Sequence, residues 1–426
     1  MPVISPSLRE QAAIGLNGMW RTLRTFRMSL LLLCAAGFRL FHRRKAGKER
    51  QADESKMAIV VVRLDALGDV LLSTPIFHAL RTRYPEAHIT AIVQERCAIL
   101  LKSNPYLDRV ISPFKARKGG LFSGIRQELS ILQFYWHNLL EDYVDVVLQP
   151  RFGFDYFGEN LLVCLLDAPL TIRQGDGFAR GPAKIVHRLA FRRAKNLKIA
   201  GPLHEVIRNA KVVESLTGQL CAWPPELFLN DGDGCPVNEL RKGKTDERIC
   251  VAIGFGAQAR KRVWSLESWS EVVNELARQS KIEVVIICAE SESPAGRVLQ
   301  SRLIVDSMLL VEKPLLEVAA VLESCDLFLG ADSGLAHVAA AVGCSTVIVS
   351  PHPLDGDPDH ENSPIRFRPY TDNGVVIQPL TALRPCKSGC QALEAHCILQ
   401  ISAEEVAQAG VSAMFACRRD KLGLEI

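Results

Sequence analysis

From Ala58 onward the sequence alternates short β-branched runs with longer segments of helical spacing, and it does so twice. Ala58–Val62 (AIVVV) is a continuous apolar run, the signature of a strand buried on both faces of a parallel sheet. The segment VLLSTPIFHALRTRYP follows with helical spacing and is closed by Pro85. Residues 88–94 (HITAIVQ), 108–114 (DRVISPF) and 145–149 (DVVLQ) are further strand candidates. The pattern restarts at 248–256 (RICVAIGFG). Residues 265–280 form a predicted helix with Ser265 as N-cap and Glu267 in its first turn. Then come a strand at 283–290, a helix at 314–325, a strand and turn at 326–334, a helix at 335–343 and a strand at 345–351. Residues 223–247, rich in Pro, Gly and charge, form the seam. The pattern predicts an α/β chain of two doubly wound, parallel-sheet, Rossmann-like domains facing a central cleft, where ligands bind at the carboxyl ends of the strands.

The expected boundaries are an N-terminal arm over 1–56, a first domain over 57–235, a second over 236–400 and a helical tail over 401–426. With 48% hydrophobic and 23% charged residues, the chain of 426 excludes wholesale disorder, a collagen-like fibre and a polytopic membrane protein. The formal charge of +4 is unevenly spread: residues 1–56 carry a net +7 and the rest a net −3. A nucleic-acid-binding body is therefore not indicated, whereas an anionic surface met by the arm is. Cysteines number 13, and Cys164, Cys250 and Cys288 sit in apolar runs, as core residues of a reducing compartment do. The body reads as cytoplasmic.

Within the arm, Met28–Phe38 is the longest uncharged stretch at 11 residues, against the ~20 that a spanning helix needs. A small-residue cleavage pattern is not clear, and Arg39, His42, Arg43, Arg44 and Lys45 follow at once. The favoured reading is a basic, apolar helix lying on the inner face of the cytoplasmic membrane as a peripheral contact. A poorly ordered extension, or a true anchor or signal, are the alternatives. Residues 46–56 read as a linker.

Three segments at strand ends carry candidate chemistry. Arg63–Asp69 (RLDALGD) is a strand-to-helix turn; Gly68 permits a tight backbone, and Asp69 falls at a helix start, where the dipole keeps a carboxylate ionised. Asp69 is either a helix cap or a general base aimed into the cleft, and Asp65 competes for both roles. Gly330–Gly343 (GADSGLAHVAAAVG) runs a strand into Asp332, Ser333 and Gly334, with a helix from about Leu335 and His337 in its first turn. Backbone N–H groups there can cradle a phosphate, with the Ser333 hydroxyl adding a bond; the alternative is an ordinary turn with His337 packed. No GxxxxGK[ST] loop occurs, which disfavours a P-loop NTPase. Gly254–Trp269 places Arg260, Lys261 and Arg262 after a glycine-bearing strand end, where cations would neutralise a diphosphate leaving group. A fourth segment holds Cys386, Cys390, His396 and Cys397, with Cys417 beyond. Its spacing does not match a standard zinc ribbon or finger, so a packed cysteine cluster is favoured over a metal site.

The paired segments VVRLDALGDVLLSTPIFHALRTRYPEAHITAIV and GADSGLAHVAAAVGCSTVIV resemble glycosyltransferase family 9, the ADP-heptose:lipopolysaccharide heptosyltransferases. PCKSGCQALEAHC resembles a cysteine-bearing stretch common near that family's C-terminus, and the likeness covers roughly 57–410. It implies a GT-B fold and inverting transfer of a heptose from a nucleotide sugar to a lipopolysaccharide core acceptor. It implies no required cofactor and no catalytic divalent metal. The first domain would face the acceptor and the second bind the donor. By the resemblance Asp69 is the base, and Arg63 and Gly68 belong to the first motif. Asp332, Ser333, Gly334, Leu335 and His337 form the phosphate-binding turn. Lys261 and Arg262 are both candidates for a donor-phosphate cation, because KRVW is one residue longer than the usual spacing. Glu290 or Glu292 falls at the nucleoside ribose. The segment LQPRFGFDYFGEN departs from the family pattern and puts Gln149 and Arg151 on the acceptor side. Other readings stay open: a glycosyltransferase using another nucleotide sugar or glycan acceptor, a non-catalytic sugar-nucleotide-binding protein, and a two-domain epimerase of GT-B shape.

Overall fold

The computed structural model describes residues 27, 29–35, 37, 57–113, 123–139, 143–153, 155, 157–174, 182–230, 248–256, 260–360, 362–384, 386, 392 and 394–421. Two six-stranded sheets form the frame. The first holds β1 (Ala58–Arg63), β2 (His88–Val93), β3 (Arg109–Ile111), β4 (Val146–Gln149), β5 (Leu170–Gln174) and β6 (Lys195–Leu197). The second holds β7 (Ile249–Gly254), β8 (Ile282–Cys288), β9 (Ser307–Val311), β10 (Leu327–Ala331), β11 (Ser345–Val349) and β12 (Gly374–Ile377). Every strand pair is parallel.

The first sheet runs β3-β2-β1-β4-β5-β6 and the second β12-β11-β10-β7-β8-β9. Counted from its own first strand, each sheet has the same order, the doubly wound arrangement. The order reverses direction between β1 and β4 in one sheet and between β7 and β10 in the other. The turn after β1 and the turn after β10 both lie at these switch points, where crevices open for ligands.

The central strands are dry, as their β-branched runs require. Ile59 to Val62, Val251 to Ile253 and Leu327 to Leu329 are all buried. Cys164, Cys250 and Cys288 take core positions. Ser265 caps its helix as expected, accepting a hydrogen bond from Ser268 N at 3.0 Å. β5, β6, β9 and β12 are strands that the sequence pattern did not mark.

At the chain's end a helix over Ala403–Lys421 packs on the helix Leu266–Gln279. Gly410 makes that approach close: a Cβ there would sit 3.1 Å from the Leu276 side chain. Val406 and Met414 are buried in the second domain's core. The Trp264 indole N–H donates to Ile401 O at 3.3 Å, so the tail is stitched to the loop after β7.

Of the arm, the described part is a helical stretch whose Leu32 and Ala35 are buried in the first domain's core. Arg27 pairs with Glu128 at 2.5 Å, and Leu30 and Leu33 face outward. Among the described residues no helix is long and apolar enough to cross a membrane. The remainder of 1–56, and most of the seam over 223–247, lie outside the described residues.

Candidate active site at the facing turns

α1 (Leu67–Leu71) begins directly after β1 and α2 (Thr74–Arg83) continues from it. The N-cap of α1 is Ala66, which has no side-chain cap bond. Asp69 lies in the first turn and is not the cap. Its Oδ1 instead accepts from Arg63 Nη2 at 3.0 Å, and about a quarter of the side chain is open to solvent. Asp65 is buried. One of its oxygens is 3.0 Å from Arg63 Nε, and the other pairs with Arg151 Nη1. The two aspartates thus differ in freedom: Asp65 is clamped between two guanidinium groups, and Asp69 keeps an exposed edge.

Two further carboxylates support this knot. Glu159 opens α3 (Glu159–Leu166) and is fully buried, its Oε2 accepting from Leu64 N at 3.0 Å. Burial pushes its pKa up, opposed by Arg151 and Arg63. Glu205 opens α4 (Glu205–Thr217) and is also fully buried. Its Oε1 takes two bonds from Arg366, at 2.5 Å from Nη2 and 3.1 Å from Nε, while its Oε2 lies 3.7 Å from Arg63 Nη2. Arg366 belongs to the second domain. A run of charge therefore crosses the interface from Arg366 through Glu205 and Arg63 to Asp69. Sequence reading missed Glu159, Glu205 and Arg366. Acidic residues in first turns usually complement the helix dipole at the surface, and only the fold shows that these are buried.

Gln149 is buried in β4 and donates to Asn160 Oδ1 at 3.0 Å, an oxygen that also accepts from Arg173 at 2.8 Å. Of the pair expected on the acceptor side, Arg151 joins the knot, through Asp65, and Gln149 packs within the sheet.

Opposite lies the turn after β10. Ser333 is the N-cap of α5 (Gly334–Ala341), in an extended conformation and with no side-chain cap bond. The first N–H groups of a helix lack intrahelical partners and point toward an incoming anion. Gly334 fits against Leu67: a Cβ there would lie 3.1 Å from that side chain. His337 is buried against Gly68, where a Cβ would lie 2.6 Å from the ring. The two motifs, distant in sequence, are therefore in direct contact, and Gly68 is the residue that permits it.

Burial lowers the His337 pKa to about 4, with His204 a second cause. Its Nδ1 has no hydrogen-bond partner among the described residues. Asp332 is held above the usual carboxylate range by burial, with Arg262 pulling the other way. Arg262 donates to Asp332 O at 3.2 Å and to Asn362 Oδ1. Leu335 lies at the end of β7, near Gly254. Lys261 stands beside Arg262 in a short 3-10 turn, and its side chain lies outside the described residues.

At the end of β8, Glu292 Oε2 accepts from Ala289 N at 3.1 Å. A side chain at Gly256 would overlap the Glu292 carboxylate, so the glycine at the end of β7 lets that carboxylate in. Glu290 is exposed, and its N–H donates to Glu312 at 2.9 Å. Cys386 and Cys397 are buried on either side of His396. Cys390 and the Cys417 side chain lie outside the described residues.

The family model described as glycosyltransferase family 9 (heptosyltransferase) matches residues 170–391. The chain is 26% identical to lipopolysaccharide heptosyltransferase 3 of Escherichia coli K12 over 321 residues, covering 73% of this chain and 84% of that one. It is 23% identical to lipopolysaccharide heptosyltransferase 2 of Salmonella typhimurium, covering 80% and 93%. Among solved structures, a family 9 glycosyl transferase from Veillonella parvula aligns with a TM-score of 0.68 at 19% identity, covering 87% of this chain and all of that one. The E. coli ADP-heptose lps heptosyltransferase II aligns at 0.57 and 18%, covering 84% and 99%. At these identities the structural likeness is one of fold: two parallel-sheet domains of the GT-B kind.

Proposed function

Since the chain belongs to glycosyltransferase family 9, we propose that it transfers a heptose, with inversion, from ADP-heptose to a lipopolysaccharide core acceptor. The observation that carries the reading is the contact between the two turns, Gly68 on His337 and Leu67 on Gly334. It brings a partly exposed carboxylate and a helix start suited to phosphate to one cleft.

In this reading an acceptor hydroxyl enters beside Asp69. Asp69 takes the hydroxyl proton as the oxygen attacks the anomeric carbon. Arg63, bonded to Asp69 at 3.0 Å, fixes the carboxylate's direction. The bond from the anomeric carbon to the diphosphate oxygen breaks on the opposite face, which inverts the centre. Negative charge grows on the departing diphosphate. The N–H groups at the start of α5, the Ser333 hydroxyl, Arg262 and Lys261 receive it. Glu292, seated at Gly256 at the carboxyl end of β7, is placed to accept from ribose hydroxyls, with Glu290 as the other candidate. Arg151 sits at the acceptor side of the same knot. The mechanism uses charge and position and routes no step through a metal.

The relatives' names support the heptose and the lipopolysaccharide acceptor. The arm supports a peripheral site on the inner membrane face. It is net +7, and its described helix is pinned to the first domain by Leu32 and Ala35 while Leu30 and Leu33 point outward.

A donor screen tests the assignment. ADP-heptose should raise the unfolding temperature saturably and support turnover on a core acceptor, and other nucleotide sugars should do neither. Protection and turnover by a different sugar nucleotide would replace the donor. Protection without any turnover would favour a binding protein. For the arm, full-length protein should sediment with anionic vesicles and be released by high salt. Equal sedimentation of a form lacking residues 1–56 would show that the membrane contact lies elsewhere.

A further inference from the structure

Ahead of the last helix, three soft ligand atoms converge. Cys386 Sγ lies 3.8 Å from His396 Nδ1, and Cys397 Sγ lies 3.6 Å from the same nitrogen. All three atoms are within 4.8 Å of one another. Among the described residues this is the one group of histidine, cysteine and carboxylate side chains that meets in this way.

The distances discriminate between a packed cluster and a coordination site. An imidazole Nδ1 with two sulfurs at 3.6 and 3.8 Å has the spacing of ligands around a shared ion. A tetrahedral zinc with Zn–S near 2.3 Å and Zn–N near 2.0 Å has ligand-to-ligand edges of roughly 3.5 Å between S and N and roughly 3.8 Å between two sulfurs. The two S–N separations match such an edge to within a few tenths of an ångström.

The backbone is arranged for the same end. In an extended chain the side chains of neighbours point to opposite faces. His396 instead adopts φ −144° and ψ −87°, and the adjacent imidazole and Cys397 thiol reach one point. Cys397 then opens a 3-10 turn over Cys397–Gln400, which Gln400 ties back to Thr381 O at 2.9 Å. On the other side Cys386 N donates to Leu383 O at 2.7 Å. Both thiols are almost fully buried, and the imidazole is half-buried.

We propose that Cys386, His396 and Cys397 form a structural zinc site, with a fourth ligand from outside this trio. Zn2+ replaces the two thiol protons, and His396 coordinates through Nδ1 as neutral imidazole. Two thiolates and an imidazole are a ligand set that favours zinc over the hard cations Mg2+ and Ca2+. The site is separate from the proposed transfer chemistry and linked to it through neighbouring residues. Glu394, two residues before His396, pairs with Arg260 at 3.0 Å, and Ile401 O receives the Trp264 indole N–H. Zinc would fix the segment on which the basic 3-10 turn Arg260–Arg262 rests.

The test uses the full chain without a histidine tag, purified under reducing conditions. Mass-spectrometric metal analysis should find roughly one zinc per chain, and replacement by Co2+ should give a thiolate-to-metal charge-transfer band. C386S and C397S should each lose the metal and the band, and H396A should weaken binding at least tenfold. C34S, at an exposed cysteine, should keep both. Removing the metal should lower the unfolding temperature while ADP still binds. The proposal is overturned if wild-type protein takes up less than a tenth of an equivalent of zinc after anaerobic reconstitution, or gives no cobalt–thiolate band. It is also overturned by a Cys386–Cys397 disulfide, by iron as the native occupant, or by a C386S/C397S double variant that retains the metal. The cobalt spectrum of the wild type decides the matter even if a variant fails to fold.

Discussion

The turn after β1 and the turn after β10 hold equivalent places in two sheets of the same strand order, yet their electrostatics are opposite. Around the first, Arg63 has three carboxylates within 3.7 Å, those of Asp65, Asp69 and Glu205, and Arg151 bonds the far side of Asp65. Around the second, burial favours the uncharged forms of both Asp332 and His337, and Arg262, a cation in reach among the described side chains, is bonded to a backbone carbonyl. The first turn has its charges fixed before any substrate arrives. The second presents a neutral His337, holds Asp332 toward its uncharged form and leaves backbone N–H groups to meet an anion. A base must hold its position as the acceptor enters, which a carboxylate already bonded to Arg63 does. A diphosphate brings its own charge, and a neutral cradle does not repel it.

The largest test of this contrast removes the partly exposed carboxylate of the first turn. Asp69→Asn keeps shape and the bond to Arg63 but loses basicity. Turnover should fall by ~10²–10⁴-fold while ADP affinity, measured by calorimetry, stays near normal. Near-normal turnover would move the base elsewhere. On the other side, Arg262→Ala removes a leaving-group cation whose neighbour Lys261 shares the task. A loss of about 10- to 100-fold in turnover is expected, with weaker ADP binding as well. If both Arg262→Ala and Lys261→Ala leave turnover and affinity unchanged, the basic turn is only a solvated face.

How far the contrast was readable beforehand depended on the range of the interactions. The central strands were legible because AIVVV and ICVAIG are apolar along their whole length, and a strand dry on both faces has no other composition. β5 (LTIRQ) and β6 (KNL) escaped notice because they carry polar residues, and β9 and β12 because they are edge strands, where partial exposure relaxes the pattern. Both turns were visible as motifs, since glycine and acid at a strand end are local signals. What the sequence could not show was partnership. Arg63 meets Glu205, and Glu205 in turn meets Arg366, through contacts that only the packed fold creates. His337 read either as part of a phosphate-binding turn or as a packed side chain, and the sequence could not show that its ring covers Gly68 of the other motif.

That contact gives a test of intermediate size. Gly68→Ala places a Cβ 2.6 Å from the His337 ring, which is buried and has little room to yield. Overpacking of this kind costs about 1–3 kcal/mol. A urea titration should show the loss in Gly68→Ala, and His337→Ala should recover part of it by making space. Equal stability of Gly68→Ala and wild type would mean that the turns do not press on each other in solution.

The smallest effect concerns the neutrality of the second turn. Burial brings both His337 and His204 down to about 4. His204 is bound as a neutral ring: Nε2 donates to Arg368 O at 2.8 Å across the interface, and Nδ1 accepts from Val206 N at 3.2 Å. Protonation would set an Nδ1–H against the Val206 N–H and break that arrangement. An unfolded histidine titrates near 6.5, so below that pH the unfolded chain binds protons that the folded one refuses until about pH 4. Stability should therefore fall as pH drops through this window and change little above it. Between about pH 7.5 and pH 6 the loss should be roughly 0.8 kcal/mol for each histidine. His337→Asn removes one of these groups, so the change with pH should shrink by roughly 0.8 kcal/mol relative to wild type, and denaturant midpoints at the two pH values measure it. A midpoint that does not move between them, or moves equally in the variant, would mean that the ring over Gly68 is free to carry charge and that the second turn is not the neutral partner of the first.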